Sequence, residues 1–416
     1  MTSNLNQIAP VKQNNRIKFL DVLRGIAIQF IFMANIVYLS GFYFFSEEFR
    51  NPATLFASDD ILSFLSFTFI DGKFYSIFSL LFGIGYYIQY DNLTKNNKSF
   101  LVFFRRRMFW LLIFGMLHLC GLWIGDILTL YAILGFVLIL FVKFSDKKLL
   151  WIAGILILMP LLNWFVIHTL NLDYTKPIIQ TSSTVWEAFG YPTTTWNGMK
   201  FNDFKYFLLN NQLPDFFKMN LGNVFIRIGY ILEEGRIFKV FGIFLIGLWS
   251  GRKILNNQLL ENTKFLKKAA FIGILIGLPM SFFRTSIEFS GDNSELYSFL
   301  NTLSYALGTV PLAIGYASLL ALIYSKKPKL LKLIAPAGRM AFTNYISQTV
   351  ISIFLFYGLG LGFAGQFGFT MIIGIALLIF LCQVVFSTFW LKIFRYGPLE
   401  WIWRQCTYKK RLPLRK

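Results

Sequence analysis

Charged residues are scarce in this chain. Asp, Glu, Lys and Arg make up 14% of its 416 residues, whereas a soluble domain contains about 25%. The shortage excludes an ordinary water-soluble domain. Hydrophobic residues reach 56% and come in blocks of about 20, the length of a helix that crosses the ~30 Å hydrocarbon layer. Because backbone groups in lipid must be paired within their own segment, we predict an all-α polytopic membrane helix bundle.

Cysteine and histidine are also rare, with 3 and 2 residues respectively. The cysteines form no CxxC pair, which argues against a zinc site or a disulfide framework, and we predict no metal cofactor. No Gly-rich phosphate loop follows a strand, and no strand-like alternation of useful length is present. The N-terminal residues lack a compact cleavable signal, so we expect the first apolar block to be an uncleaved signal-anchor.

Acidic residues are half as numerous as basic ones, 20 against 40, which leaves a net charge of +20. In a soluble protein this excess would indicate nucleic-acid binding. Here the basic residues, beginning with Lys12 and Arg16, cluster in every second short link between apolar blocks. Such clustering is typical of cytoplasmic loops. We therefore predict that both termini are cytoplasmic and that nucleic acid is not a partner, whereas the lipid bilayer is.

The apolar blocks predict about ten transmembrane helices. We expect an N-terminal half over residues 1–170 with five spans, an extracytoplasmic loop region over 171–228, and a C-terminal half over 229–416 with five spans. We expect short helices in the loop region, lying on the outer surface. The predicted spans are 19–40, 73–90, 108–124, 127–142, 149–170, 229–250, 269–286, 299–324, 340–360 and 369–393.

The first span carries a polar stripe. Asp21 and Arg24 are three residues apart and share a helical face, and Asn35 lies on the same face about 16 Å further outward. Polar side chains inside a membrane are costly and mark functional sites by default. The alternative is an interfacial ion pair with a helix–helix contact through Asn35.

The two histidines differ in their surroundings. His118 lies near the outer end of the third span, and Asp126 follows just beyond that span. A neutral imidazole beside a carboxylate can act as a general base, and the alternative is an inter-helix hydrogen bond. His168 lies where the fifth span meets the outer surface, a place where polar side chains are ordinary.

Lys73 opens the second span after Asp71, at the membrane face where basic residues are unusual. Its ammonium group either reaches the surface along its flexible stem or pairs with Asp71 or Asp126 in an outward-facing cavity.

The ninth span begins with a dense polar face. Asn344 and Gln348 are four residues apart, and Arg339 precedes them on the cytoplasmic side. Such a face is typical of helix contacts or of a wet cavity, and we predict that Asn344 and Gln348 line the cavity with Asp21, Asn35 and Lys73.

Five segments together resemble the YeiB-like family of bacterial membrane proteins. They run in order from one end of the chain to the other, which makes the resemblance more specific than any single motif. The segments are Leu20–Ile28, Gly72–Gly85, Leu117–Leu128, Gly338–Gln348 and Arg395–Trp401. Within Leu117–Leu128, the matching parts are the first two residues, Leu-His, and the last four, Gly-Asp-Ile-Leu.

That family is similar to two groups of transmembrane acyltransferases, the bacterial acyltransferase family three and heparan-α-glucosaminide N-acetyltransferase. The resemblance implies a multi-pass protein of the bacterial cytoplasmic (inner) membrane. It also implies that acyl-CoA or acetyl-CoA is the co-substrate and that a small molecule or glycan, such as a sugar, is the extracytoplasmic acceptor. Arg24 and Arg339 would hold the donor, His118 would be the general base, and Asp126 would orient it. Those two groups carry histidines at positions where this chain has none. Eleven residues after Arg24, for example, this chain has Asn35.

Two other functions remain open. A transporter or flippase for an amphipathic or lipid-linked solute would share the polar stripes and would have broken helices near mid-membrane. A structural or assembly role is the third alternative, and a homodimer is compatible with all three. Acyl-CoA binding or hydrolysis would favour the enzyme, whereas solute flux in vesicles without CoA would favour the transporter.

Overall fold

The structure is a computed structural model that describes residues 17–96, 99–196, 198–292 and 294–416. Lys12 and Arg16, on which the cytoplasmic assignment of the N-terminus partly rests, lie outside the described residues. The first six helices are α1 Lys18–Leu39, α2 Asp59–Phe69, α3 Lys73–Lys95, α4 Phe100–Gly121, α5 Leu128–Leu138 and α6 Asp146–Trp164.

The predicted loop region contains more structure than short helices. It includes a two-stranded antiparallel hairpin, in which Thr193 pairs with Asn202. The four-residue strands are too short to produce an alternating pattern that the sequence could reveal. The region also contains α9, a helix of 21 residues whose mixed polar composition does not stand out as an apolar block. The elements are α7 Lys176–Ala188, β1 Thr193–Trp196, β2 Met199–Asn202, α8 Phe204–Leu209 and α9 Leu213–Glu233.

The remaining helices are again long and mostly apolar. They are α10 Arg236–Asn257, α11 Thr263–Ser290, α12 Glu295–Lys326, α13 Pro328–Lys332, α14 Ala335–Arg339, α15 Ala341–Phe356, α16 Phe369–Ile393 and α17 Pro398–Tyr408.

Among the described residues, six helical stretches are long and apolar enough to cross a membrane. The protein is therefore helical, apart from the hairpin, and has the helices of a multi-span membrane protein, while the number ten and the orientation stay predictions. The short apolar helices α5 and α15 and the charged helices α4 and α10 overlap the other four predicted spans. The six stretches are Lys18–Leu39, Asp59–Lys95, Asp146–Thr169, Thr263–Ser290, Glu295–Lys326 and Phe369–Ile393.

Glycines lie at close contacts between helices. A Cβ atom on Gly83 of α3 would lie 2.3 Å from the backbone oxygen of Phe244 in α10, and one on Gly273 of α11 would lie 2.4 Å from that of Pro311 in α12. Small residues let membrane helices approach each other closely in this way. We call the end of the bundle that the sequence predicts to face outward the outer end, and the opposite one the inner end.

Two connections border one cavity: the link between α4 and α5, and the turn between α9 and α10. Asn163, near the end of α6, donates hydrogen bonds to the backbone oxygens of Leu232 and Glu233 at the end of α9.

Candidate functional site

A cavity of about 710 Å³ lies at the outer end of the bundle. This volume falls within the range of small-molecule sites, about 300–1,000 Å³. Its wall combines aromatic rings with charged groups from several helices. The aromatic part includes Phe30, Phe74, Trp123, Trp164 and Tyr345.

Two ion pairs belong to the cavity wall. Arg284 donates to Asp71 at 2.8 Å, and Arg236 contacts Glu234 at 2.5 Å. The second pair lies at the turn between α9 and α10. Because each guanidinium meets a carboxylate, the pairs tolerate their partly buried positions.

His118 lies at the centre of a three-residue chain of hydrogen bonds. Its Nδ1 is 3.0 Å from Oδ1 of Asp126, and its Nε2 is 3.1 Å from Oγ1 of Thr349. All three residues are at most 2% exposed. An ionised carboxylate only accepts hydrogen bonds, so the proton between His118 and Asp126 belongs to Nδ1. In the neutral imidazole Nε2 is then an acceptor, and the Thr349 hydroxyl can donate to it.

The hairpin of α4 and α5 explains how the sequence builds this arrangement. The Asp126 side chain accepts hydrogen bonds from the backbone N–H groups of Leu128 and Thr129, at 3.1 and 2.7 Å, and so stabilises the start of α5. A Cβ atom on Gly115 would lie 2.5 Å from the Thr129 nitrogen. The glycine therefore lets α5 approach α4 closely enough for His118 to reach Asp126.

The His118 group lies directly beneath the cavity floor. Gly125 and Ile127, on either side of Asp126, line the cavity, and so does Tyr345. The Tyr345 ring centroid is 5.1 Å from that of His118, and its hydroxyl donates to the Gly125 oxygen at 3.4 Å. One layer of side chain and backbone thus separates the imidazole from the cavity.

Helix α9 adds a polar stripe in a segment that the sequence predicts as loop. Asn220 and Arg227 are seven residues apart, so they share a helical face, and Glu234 follows at the same spacing just beyond the end of α9. All three line the cavity. Arg227 donates from Nη2 to the backbone oxygen of Asp126 at 2.8 Å. In the sequence, only the seven-residue spacing points to this stripe. The spacing indicates a shared face only if the segment has already been assigned as a helix.

The two arginines predicted to hold the donor lie at the inner end, on neighbouring elements. Arg24 forms an ion pair with Asp21 at 2.9 Å, on one helical face as the spacing predicts. Arg339 donates to the backbone oxygen of Arg395 at 3.4 Å. Helices α1 and α14 touch through Gly338, where a Cβ atom would lie 1.9 Å from the Asp21 oxygen.

The structure separates the residues that the sequence predicts to line one cavity. Asn35 lies on the wall of the outer cavity, whereas Asp21 lies at the inner end. Lys73 is 1% exposed and donates to the backbone oxygen of Phe67 at 2.9 Å. Among the described residues it forms no ion pair with Asp71 or Asp126, since Arg284 binds Asp71.

Asn344 and Gln348 lie between α15 and α16. Asn344 donates to Ser387 at 3.2 Å, and Gln348 donates to Gln383 at 2.9 Å. Neither residue belongs to the wall of the outer cavity. Amide pairs of this kind hold membrane helices together, which is the helix-contact alternative for this polar face.

His168 lies on the wall of the outer cavity, where its ring stacks on Trp164 with centroids 4.9 Å apart. In the part of the chain that the structure describes, no group of three or more His, Cys, Asp or Glu side chains is arranged to hold a metal ion.

Comparison with known proteins relates the chain to bacterial proteins. Residues 250–410 match the family model described as "Protein of unknown function (DUF418)". The chain is 29% identical to the uncharacterized protein YxaH of Bacillus subtilis over 99% of both chains. It is 28% identical to the uncharacterized protein YeiB of Escherichia coli over 94% of this chain and 96% of that one. No solved structure matches.

These relatives confirm the resemblance to YeiB-like proteins. None of the descriptions names an acyltransferase, so that relationship stays a prediction.

Proposed function

We propose that the protein is a transmembrane acyltransferase, which moves an acyl group from cytoplasmic acyl-CoA to an acceptor, such as a sugar, in the outer cavity. The supporting observation is the His118 group: a buried imidazole with a carboxylate on Nδ1 and a hydroxyl on Nε2. This order of groups is the one that general-base catalysis of acyl transfer requires.

In this proposal His118 is the general base. Asp126 fixes the tautomer, so the lone pair of Nε2 faces away from the carboxylate, and it stabilises the imidazolium that forms when His118 takes a proton. The two backbone N–H groups that bind Asp126 keep its carboxylate in place during the reaction.

The Thr349 hydroxyl occupies the position that an acceptor hydroxyl would take on Nε2. We propose that the acceptor displaces it and that Thr349 then bonds the backbone oxygen of Tyr345, which lies 3.5 Å from its Oγ1. Tyr345 has to move aside as well, because its ring separates His118 from the cavity.

The chemical step exchanges a thioester for an ester. The acceptor oxygen attacks the carbonyl carbon of the acyl-CoA while its proton passes to Nε2 of His118. The carbon–sulfur bond then breaks, and the proton moves from His118 to the CoA thiolate as it leaves. An amine acceptor would follow the same course and give an amide.

The donor would enter from the inner end. Arg24 and Arg339 are cationic at any working pH and lie on touching elements, and guanidinium groups suit phosphate geometry. Thr349 lies eight residues beyond the start of α15, about 12 Å along its axis. An extended CoA arm anchored at Arg339 would therefore run along α15 toward His118.

Replacement of the two histidines tests the proposal. Purified protein is supplied with acetyl-CoA and octyl β-glucoside as acceptor probe, and CoA release and acetylated glucoside are measured. His118→Ala should lower turnover about 100-fold or more, the usual contribution of a general base. His168→Ala changes the second histidine, which lies on the cavity wall; it is the control and should change turnover by less than about threefold. Equal turnover in His118→Ala and the unchanged protein would contradict the proposal.

One observation favours the transporter alternative. Helix α6 contains Pro160 and continues as a π-helix over Phe165–Thr169, and Trp164 and His168 at this irregular end line the cavity. Broken helices at a cavity are typical of transporters. Flux of a solute through vesicles without any CoA, at a rate unchanged by His118→Ala, would decide for that function.

A further inference from the structure

We infer that the outer cavity takes an amphipathic ligand with an oxyanion group, a carboxylate or a phosphate, and that Arg227 binds this group. The inference names the chemical class of the acceptor, so its place in the reaction rests on the proposed acyl transfer. The binding site itself rests only on the contacts of the cavity floor.

Arg227 differs from the other arginines of the cavity wall. Arg236 and Arg284 each contact a carboxylate, whereas Arg227 forms no ion pair within the described residues. Its Nη2 donates to the backbone oxygen of Asp126, and its Nε has no hydrogen-bond partner there. Because a guanidinium does not lose its charge in proteins, this partly buried cation lacks a counter-ion in direct contact.

The carboxylates around Arg227 do not serve as its counter-ion. The Asp126 carboxylate already binds His118, Leu128 and Thr129. Glu234 is bound to Arg236. Glu233 also lines the cavity, and it follows Arg227 by six residues on α9, so it points to a different helical face. An oxyanion from the cavity can therefore reach Arg227 without displacing an existing pair.

Asn220 gives a second, independent indication of a polar ligand. It lines the cavity two turns before Arg227, and its side chain is 0% exposed. Neither atom of its amide group has a hydrogen-bond partner in the part of the chain that the structure describes. A buried amide without partners costs free energy, and a ligand with polar atoms would remove this cost.

The rest of the wall indicates an apolar or ring-shaped body. Phe30 and Phe74 stack at 4.2 Å between centroids, and together with Phe44, Phe67 and Trp123 they line the cavity. Apolar walls with a few convergent polar groups are typical of sites for amphipathic small molecules. The ligand would thus place its oxyanion on α9 and its apolar part against these rings.

The position of Arg227 also links the ligand to His118. Arg227 binds the backbone oxygen of Asp126, the residue whose carboxylate holds the imidazole. An oxyanion on Arg227 would therefore bring a neighbouring hydroxyl or amine of the same ligand to the cavity floor above His118.

Competition binding tests the inference. The full chain is reconstituted in nanodiscs of neutral lipid, without acyl-CoA, and native mass spectrometry measures binding of dodecyl phosphate, dodecanoate and dodecyl β-maltoside. At least one of the two anionic probes should bind about tenfold more tightly than the neutral one, and the tighter of the two identifies the oxyanion. Arg227→Gln should weaken anionic binding about 10- to 100-fold, the usual effect of a charge-assisted hydrogen bond, and leave the maltoside unchanged.

The matched control is Arg252→Gln, which removes the same charge from an arginine bound to Asp146, away from the cavity wall. Arg227→Lys keeps the charge without the planar guanidinium group and should bind the anionic probes better than Arg227→Gln does. If the glutamine variant does not fold, the lysine variant is compared with the unchanged protein instead. Equal binding of the neutral and anionic probes, or unchanged anionic binding in both Arg227 variants, would overturn the inference.

The two proposals fail separately. Loss of anionic binding in Arg227→Gln, with full turnover in His118→Ala, would keep the oxyanion site and contradict acyl transfer. Loss of turnover in His118→Ala, with anionic binding independent of Arg227, would do the reverse.

Discussion

At the scale of single residues, the site depends on how two ionisable groups are held. His118 and Asp126 are buried together in a region of the bundle where an isolated charge is costly. Two backbone N–H groups and the imidazole share the carboxylate oxygens of Asp126. The pair can therefore exist without water, and it remains one layer from the cavity.

Asp126→Asn should separate orientation from charge. The single oxygen of asparagine can still accept a hydrogen bond from one of the two N–H groups at the start of α5, but asparagine cannot stabilise an imidazolium and can favour the wrong tautomer. We expect turnover of acetyl-CoA with the glucoside probe to fall at least about 100-fold, with a small change in thermal stability. Turnover equal to that of the unchanged protein would contradict the proposed role of the Asp126 carboxylate.

At the scale of elements, glycines lie where helices cross closely. Gly83 lies at the crossing of α3 and α10, where a Cβ atom would meet the Phe244 oxygen at 2.3 Å, whereas a Cβ atom on Gly85 would meet nothing within 4 Å. Because both glycines belong to the same helix and only one of them is in contact, they form a matched pair.

Gly83→Ala should destabilise the protein by about 1–3 kcal/mol, because an overpacked contact forces backbone shifts. Gly85→Ala should be neutral or stabilising, since alanine favours helix more than glycine does. Thermal unfolding in one detergent measures both, and a larger loss of Tm in Gly85→Ala would contradict the described contact of α3 with α10.

Comparison of the predicted spans with the observed helices shows which elements the local hydropathy pattern could predict. The blocks that predicted spans at 19–40 and 369–393 coincide with α1 and α16 within a residue or two. Helix α9 was missed because its apolar residues are interrupted by Asn220, Asn223 and Arg227. The hydropathy of such a segment resembles that of a loop, although its seven-residue spacing is helical.

At the scale of the whole molecule, the proposed acyl transfer requires opposite ends of the bundle to face opposite compartments. The outer cavity collects ends of helices from both halves of the chain, while Arg24 and Arg339 lie at the other end. Transfer between the two would follow the length of α15.

Cysteine labelling tests this orientation. In a background without Cys120, Cys382 and Cys406, Asn301→Cys on the cavity wall should react with a membrane-impermeant maleimide in intact cells. Lys329→Cys, in the basic link of α13, should react only after the membrane is permeabilised. The reverse pattern would contradict the predicted cytoplasmic position of the basic links.

The amino-acid sequence by itself determined the helical membrane class and the pairing of Asp21 with Arg24. These features follow from local chemistry: apolar length, backbone hydrogen bonding in lipid and helical spacing. Only the tertiary structure decided that Thr349, 231 residues away, completes the His118 group, that Arg227 faces the cavity, and that Asn344 and Gln348 bind α16 instead. Such partners depend on which helices pack together, and in a bundle of similar apolar helices no local pattern specifies that choice.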